Sequence, residues 1–356
     1  MTYKACCYMN RGLCFDNIDL RDCSIGLDGN KRGMPVIIPS YMGEVPDWNE
    51  VFEIKEKRNK LVKSGKVPQI CEGCGCLSED RNLDDDRCFS EIFYRTSYIC
   101  DAKCIYCATK VYAGTEFYSA YDATKDLIKN KLFKKGGNVI FDGGEPTLAK
   151  DFSKILALYL KKDANIFIQS SGINFSEKIC DGLKSGKLKL TVSLDCASKK
   201  LYKEIKRTDK FKEVKDNLKK YAKCLNKDNE FDLSVKYIII PGVNDSIEEI
   251  DKFFDLMKKL KIKSIIFDSE CKYTSSNDFC LSDYIYEMGD YAKNLAEENQ
   301  MKFSYNIFFD WANGKRTCKK VDFAKFDKEK FVEKIEKEKK ANINKNVYYP
   351  GVSRIR

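Results

Sequence analysis

The sequence predicts an α/β fold, a partial (β/α)6 barrel carrying a small cysteine-rich domain at its N-terminus. Three observations predict it. Short β-rich runs alternate with amphipathic helical patterns from about Ser90 to Asp310, polar or glycine-rich motifs stand at the ends of those runs, and cysteines crowd the first third of the chain.

The first 89 residues read as the cysteine-rich unit. They are irregular, broken by Gly33, Pro35, Pro39, Pro46 and Pro68, and hold one helix over 48–64 with Gly65 as its C-cap. Such a segment has too little apolar core to fold unaided. Residues 90–310 form the barrel. Strands are expected at 92–98, 138–141, 165–169, 189–194, 233–239 and 264–267, with helices between them at 151–162, 212–224 and 246–260. In the last helix Ile247, Ile250, Phe253, Phe254, Met257 and Leu260 recur at helical spacing. Six βα units make an incomplete barrel, whose sites lie at the carboxyl ends of the strands. Residues 311–356 are a basic tail, mostly helical to about Lys340.

A chain of 356 residues has room for one large α/β domain and an appendage. Seventeen cysteines cannot all pair, and without an apolar export segment they point to metal binding or reduced thiols in a cytoplasmic protein. Nowhere do about 18 consecutive apolar residues occur, which disfavours a membrane span. Histidine is absent, which removes the usual zinc partner and the usual near-neutral base and leaves thiolate as the ligand of any metal site. The formal charge is +10. Lysine and glutamate are nevertheless mixed along helices such as 328–340, a pattern of solvated faces that disfavours nucleic acid as a partner.

Cys100-Asp-Ala-Lys-Cys104-Ile-Tyr-Cys107 follows the first barrel strand and so lies on the loop at its carboxyl end. A loop this short can wrap three thiolates around three irons of a cubane and leave the fourth iron open. Taken alone, the three cysteines also suit a structural zinc or plain thiols. At the end of the second strand stands Asp142-Gly143-Gly144-Glu145-Pro146-Thr147. Its glycines permit close backbone approach to a ligand and its carboxylate can accept from an ammonium group; its plainer reading is a tight βα turn.

Together these motifs resemble the radical S-adenosylmethionine (SAM) superfamily, over roughly Phe93 to Asp268. The resemblance implies a TIM-like partial barrel in which Cys100, Cys104 and Cys107 hold a [4Fe-4S] cluster whose open iron chelates SAM. It places Tyr106 near the adenine and Gly143, Gly144, Glu145 and Pro146 near the amino group of SAM. Ser170, in Gln169-Ser170-Ser171-Gly172, would lie near the ribose or carboxylate. Ser193 and Asp195 resemble the family's Ser-x-Asp, Lys206 and Arg207 form a basic pair that would meet the SAM carboxylate, and Asn244 lies in a turn bordering adenine. Taken singly, Ser170, Ser193 and Asp195 read as helix caps or turn formers.

The N-terminal cysteines resemble the SPASM or twitch auxiliary domains of that superfamily, though placed before the barrel. A C-x2-C pair with distant cysteines builds a tetrathiolate site. The expected ligands of an auxiliary [4Fe-4S] cluster are Cys7, Cys23, Cys71 and Cys74, with Cys6, Cys14, Cys76 and Cys88 in reserve. A structural zinc and free core cysteines are the alternatives.

The resemblance implies an oxidoreductase or related radical enzyme. An external donor such as flavodoxin or ferredoxin supplies an electron, SAM is cleaved to a 5′-deoxyadenosyl radical, and that radical takes hydrogen from a substrate. No peptide-docking domain is evident in the first 90 residues, which tilts the substrate toward a small polar molecule such as a carbohydrate, oxidised or epimerised. Cys271, just past the sixth strand, is the candidate hydrogen-atom donor for epimerisation. A peptide substrate, an RNA-modifying enzyme and a zinc-bound scaffold are the other readings.

Overall fold

The computed structural model describes residues 6–16, 18–23, 36–66, 87–107, 114–269, 282–305 and 320–344. Among them, ten strands form one sheet. Six consecutive strands run parallel: β4 (Phe89–Arg95), β5 (Phe133–Phe141), β6 (Ala164–Ser170), β7 (Leu188–Ser193), β8 (Leu233–Ile239) and β9 (Ser264–Ser269). These are the six expected barrel strands, and the helices that cover them are α3 (Tyr121–Lys129), α4 (Phe152–Leu160), α5 (Glu177–Lys184), α6 (Lys199–Lys206), α7 (Phe211–Ala222) and α8 (Ile247–Leu260).

Parallel strands covered on both faces read as unbroken apolar runs. Here they alternate. On β6, Ala164, Ile166, Ile168 and Ser170 are buried while Asn165 and Gln169 are exposed. On β7, Leu188, Leu190 and Val192 are buried with Lys189 exposed and Thr191 and Ser193 half-buried. The buried rows face the helices, as the contact between Tyr237 of β8 and Phe253 of α8 shows, with ring centroids 4.9 Å apart. The opposite rows line a polar barrel interior.

Two expectations are corrected. The first barrel strand ends at Arg95 and not at residue 98, because the backbone beyond it is spent elsewhere: Thr96 O accepts from Phe117 N at 3.0 Å, and Tyr98 N donates to Thr115 O at 2.7 Å. The N-terminal segment is also less irregular than its composition implies. After α1 (Cys7–Arg11), β1 (Gly12–Asp16) pairs in parallel with β4, and β2 (Asp19–Arg21) and β3 (Val36–Ile38) continue the sheet antiparallel. Helix α2 (Trp48–Lys63) buries Trp48, Val51 and Phe52 in the same core as the barrel. Asp47 caps its start, and Gly65 at φ +80° follows its end.

The sheet closes at its other edge with β10 (Lys302–Tyr305), parallel to β9. Helix α9 (Asp283–Glu298) precedes it, and α10 (Lys328–Asn344) packs Phe331 and Ile335 against the core. No helix among the described residues is long and apolar enough to cross a membrane.

Candidate active site

The cysteine loop leaves β4 at the carboxyl end of the sheet and is docked on the last turn of α6. Lys103 N donates to Lys206 O at 2.8 Å and Ile105 N to Ile205 O at 2.9 Å, so the residues on both sides of Cys104 use helix-terminal carbonyls that would otherwise lack partners. Inside the loop, Asp101 accepts from Ser171 Oγ at 2.9 Å and from Asn174 Nδ2, which ties it to the end of β6. Asp101 is a site residue that the sequence reading passed over, although it stands between two of the expected ligands.

The Gly143-Gly144 turn serves this loop directly. Gly143 adopts φ +104°, and a Cβ on Gly144 would collide with the backbone of Tyr98 and Ile99. Gly144 N donates to Ser97 O at 3.1 Å and Glu145 N to Ile99 O at 2.7 Å. The close approach that the glycines permit is therefore to the chain just before Cys100. Glu145, 1 % exposed, accepts from Thr147 N at 3.2 Å, Thr147 Oγ1 at 2.6 Å, Ser170 Oγ at 2.9 Å and Ser171 N at 2.6 Å. Those four donors match the acceptor capacity of a carboxylate. Burial pushes Glu145 up from the ordinary value, partly offset by the Thr147 hydroxyl. Pro146 opens the 3-10 turn that follows.

A second network lies under Tyr106. Its hydroxyl donates to Asp195 Oδ2 at 2.5 Å and accepts from Lys206 Nζ at 2.6 Å, while Lys206 also pairs with Asp195. Asp195, at φ +65° and fully buried, accepts on its other oxygen from Ile238 N at 2.8 Å. Asn244 completes the arrangement: it accepts from Ile240 N at 2.6 Å and donates to Asp195 O and Ile238 O at 2.8 Å. Both ends of its amide are thus spent on backbone. Burial alone would lower the Lys206 amine, but the Asp195 carboxylate against it outweighs that and pushes it up to about 12.

The structure accordingly splits the expected basic pair. Lys206 is 2 % exposed and committed to Asp195, whereas Arg207 is exposed at the helix end with φ +53°. Ser193 is half-buried at the end of β7, on the barrel-interior face. Cys271 lies outside the described residues, as do Cys71 and Cys74 among the expected auxiliary ligands; for Cys7 only the backbone is described. Cys23 is half-buried and close enough to the buried Cys14 for its charge to raise that thiol, though burial is the larger cause. Cys6 is buried and Cys88 half-buried.

Among the described residues, no three acidic or sulfur side chains converge tightly enough to hold one metal ion. A cubane asks for something else, since each thiolate binds a different iron and the sulfurs must stand apart. Three observations fit such a cluster: an all-thiol donor set on one loop, backbone bonds fixing that loop beside Cys104, and the buried Tyr202 hydroxyl facing the loop from α6 with no hydrogen-bond partner.

Residues 94–257 match the family model described as the Radical SAM superfamily. Over 168 residues the chain is 24 % identical to a GTP 3′,8-cyclase of Clostridium botulinum, covering 46 % of this chain and 51 % of that one. Over 202 residues it is 29 % identical to an uncharacterised protein, MJ0804, of Methanocaldococcus jannaschii, covering 54 % and 62 %. The chain thus spans between half and two thirds of the length of these relatives. Among solved structures, Streptococcus suis SuiB bound to its precursor peptide SuiA superposes with a TM-score of 0.51 at 17 % identity, over 76 % of this chain and 66 % of that one, a likeness of fold.

Proposed function

We propose, from the premise that a radical SAM domain spans residues 94–257, that this chain is a radical SAM enzyme acting on a small polar substrate in the barrel interior. The observation that carries the reading is the cysteine loop itself, set at the carboxyl ends of parallel strands and bonded on both flanks of Cys104 to α6. Cys100, Cys104 and Cys107 would hold a [4Fe-4S] cluster, which when bound supplies the electron that cleaves SAM to methionine and a 5′-deoxyadenosyl radical.

The remaining work belongs to the chain. Gly143 and Gly144 hold the loop against the end of β5, and Glu145 ties β5 to β6 at Ser170 and Ser171. Tyr106, Asp195 and Asn244 lock the far side, leaving Ser193 and the exposed Arg207 as the polar groups open to a ligand there. Support for a small polar substrate comes from the interior-facing row of Gln169, Thr191, Ser193, Ser234 and Lys236, brought together by the registers Gln169↔Thr191, Thr191↔Ser234 and Ser193↔Lys236. Oxidation or epimerisation of such a molecule, Cys271 as hydrogen donor, an auxiliary cluster on the N-terminal cysteines and a flavodoxin or ferredoxin as reductant belong to the same proposal. A peptide substrate is the second reading; no apolar groove at the barrel mouth favours it among the described residues.

The test is iron and acid-labile sulfide in anaerobically prepared protein, beside a Cys100→Ala/Cys104→Ala/Cys107→Ala variant. About eight irons falling to about four fit one catalytic and one auxiliary cubane, and 5′-deoxyadenosine formation should vanish with the triple variant. Zinc without sulfide, or 5′-deoxyadenosine made by the variant, sinks the proposal.

A further inference from the structure

Helix α6 turns two side chains, Tyr202 and Lys206, toward the cysteine loop. They are four residues apart and so share one face of the helix. Tyr202 is fully buried, yet its hydroxyl has no partner, and negative charge on Cys104 and Asp101 adds to the burial that pushes it up. An orphaned buried hydroxyl costs about 1–3 kcal/mol unless something accepts from it. Lys206 Nζ lies 2.6 Å from the Tyr106 hydroxyl, which is itself within hydrogen-bonding reach of the Cys104 sulfur. The carbonyls of Ile205 and Lys206 fix the backbone on both sides of that cysteine. One helical turn thus holds Cys104 in place and directs a hydrogen-bond donor and a cation toward it.

We infer that Tyr202 and Lys206 are positioning residues that raise the reduction potential of a cluster bound through Cys104. This rests on the reading of the cysteine triad as a cluster site. Reduction adds one electron, taken from an external low-potential one-electron donor, and neither side chain gains or loses a proton. A donor and a positive charge near a ligand sulfur stabilise that added negative charge. A buried ion pair of this kind gives little net stability, and Tyr202 buries a hydroxyl that nothing in the polypeptide satisfies.

The experiment is an EPR-monitored redox titration of the reconstituted full-length chain. Tyr202→Phe keeps the ring and removes only the orphan, so folding should be unchanged or improved. Lys206→Met/Asp195→Asn removes both charges of the pair, and asparagine accepts the φ of +65° at that position. At a fixed solution potential, the ratio of reduced to oxidised cluster should fall about three- to tenfold in each variant, tenfold corresponding to about 59 mV. Iron content should stay at the wild-type level in Tyr202→Phe, and Lys206→Arg should recover most of the loss.

Wild-type protein without iron and sulfide would refute the proposed function itself. A wild-type cluster with both variants titrating alongside it would leave that function standing and overturn this inference. Should the double variant fail to hold iron, the Tyr202→Phe titration decides alone.

Discussion

Gly144 is the residue at which the site and the fold are hardest to separate. A methyl group there meets backbone, which cannot swing aside as a side chain would. Gly144→Ala should therefore cost about 1–3 kcal/mol and detach the chain before Cys100, read as a lower urea midpoint together with reduced iron uptake on reconstitution. Gly186→Ala, at φ +66° with open space around it, should lower the midpoint and leave iron uptake alone; equal iron loss in both would show that the Gly144 contact is incidental. Lys206 gives a residue-level prediction in pH. Its folded value near 12 lies above the ordinary lysine value of about 10.4. The stabilisation is thus fully present below that value and is lost as pH rises through about 12. Relative to Lys206→Met/Asp195→Asn, the wild type should lose about 2 kcal/mol more between pH 9 and 12. Parallel urea midpoints across that range would argue that the amine is not held charged by Asp195.

At the scale of elements, α2 is joined to the sheet extension by buried charge. Lys55 Nζ donates to Gly12 O at 2.7 Å and to Asp22 at 2.6 Å, Arg58 reaches the same carboxylate, and both Lys55 and Asp22 are almost fully buried. Lys55→Met leaves Asp22 with only the partly exposed Arg58 and should cost about 3 kcal/mol, with faster amide exchange along β1 and β2 than along β6 and β7. Uniform exchange across all four strands would mean that the extension and the barrel open as one unit. The elements also show what the sequence could and could not reveal. β6 and β7 were legible because each presents one apolar and one polar face, a period of two that survives without tertiary context. β1 was not, since Gly-Leu-Cys-Phe-Asp is five residues with no alternation, and its strand character comes from register with β4, far along the chain. The cysteine loop and the Gly-Gly-Glu-Pro turn were legible as motifs. Their bonds to each other and to α6 were not, because spacing along the chain says nothing about which carbonyls a loop will find.

Across the whole molecule, the C-terminal helix reaches the side of the barrel opposite the N-terminal extension. Lys328 pairs with Asp251 of α8 at 2.7 Å, Lys334 with Glu287 of α9 at 2.5 Å, and Lys339 lies 3.5 Å from Asp245. Asp245 also accepts from Tyr284 at 3.0 Å and directly follows Asn244, whose amide holds the Asp195 turn. Contact therefore runs without a break from α10 through the loop after β8 to Asp195, Tyr106 and the cysteine loop. Spatial continuity alone does not establish coupling, but two substitutions on α10 separate coupling from cover. Ile335 is 1 % exposed, so Ile335→Ala should cost about 2–5 kcal/mol of global stability. Lys339 is partly exposed, and its pair is worth at most about 1 kcal/mol. Lys339→Met should leave the urea midpoint nearly unchanged while speeding amide exchange at 240–245, because only the restraint on Asp245 is lost. If exchange in that loop matches wild type, α10 acts through its apolar face alone and the line of contacts to Asp195 carries no energy.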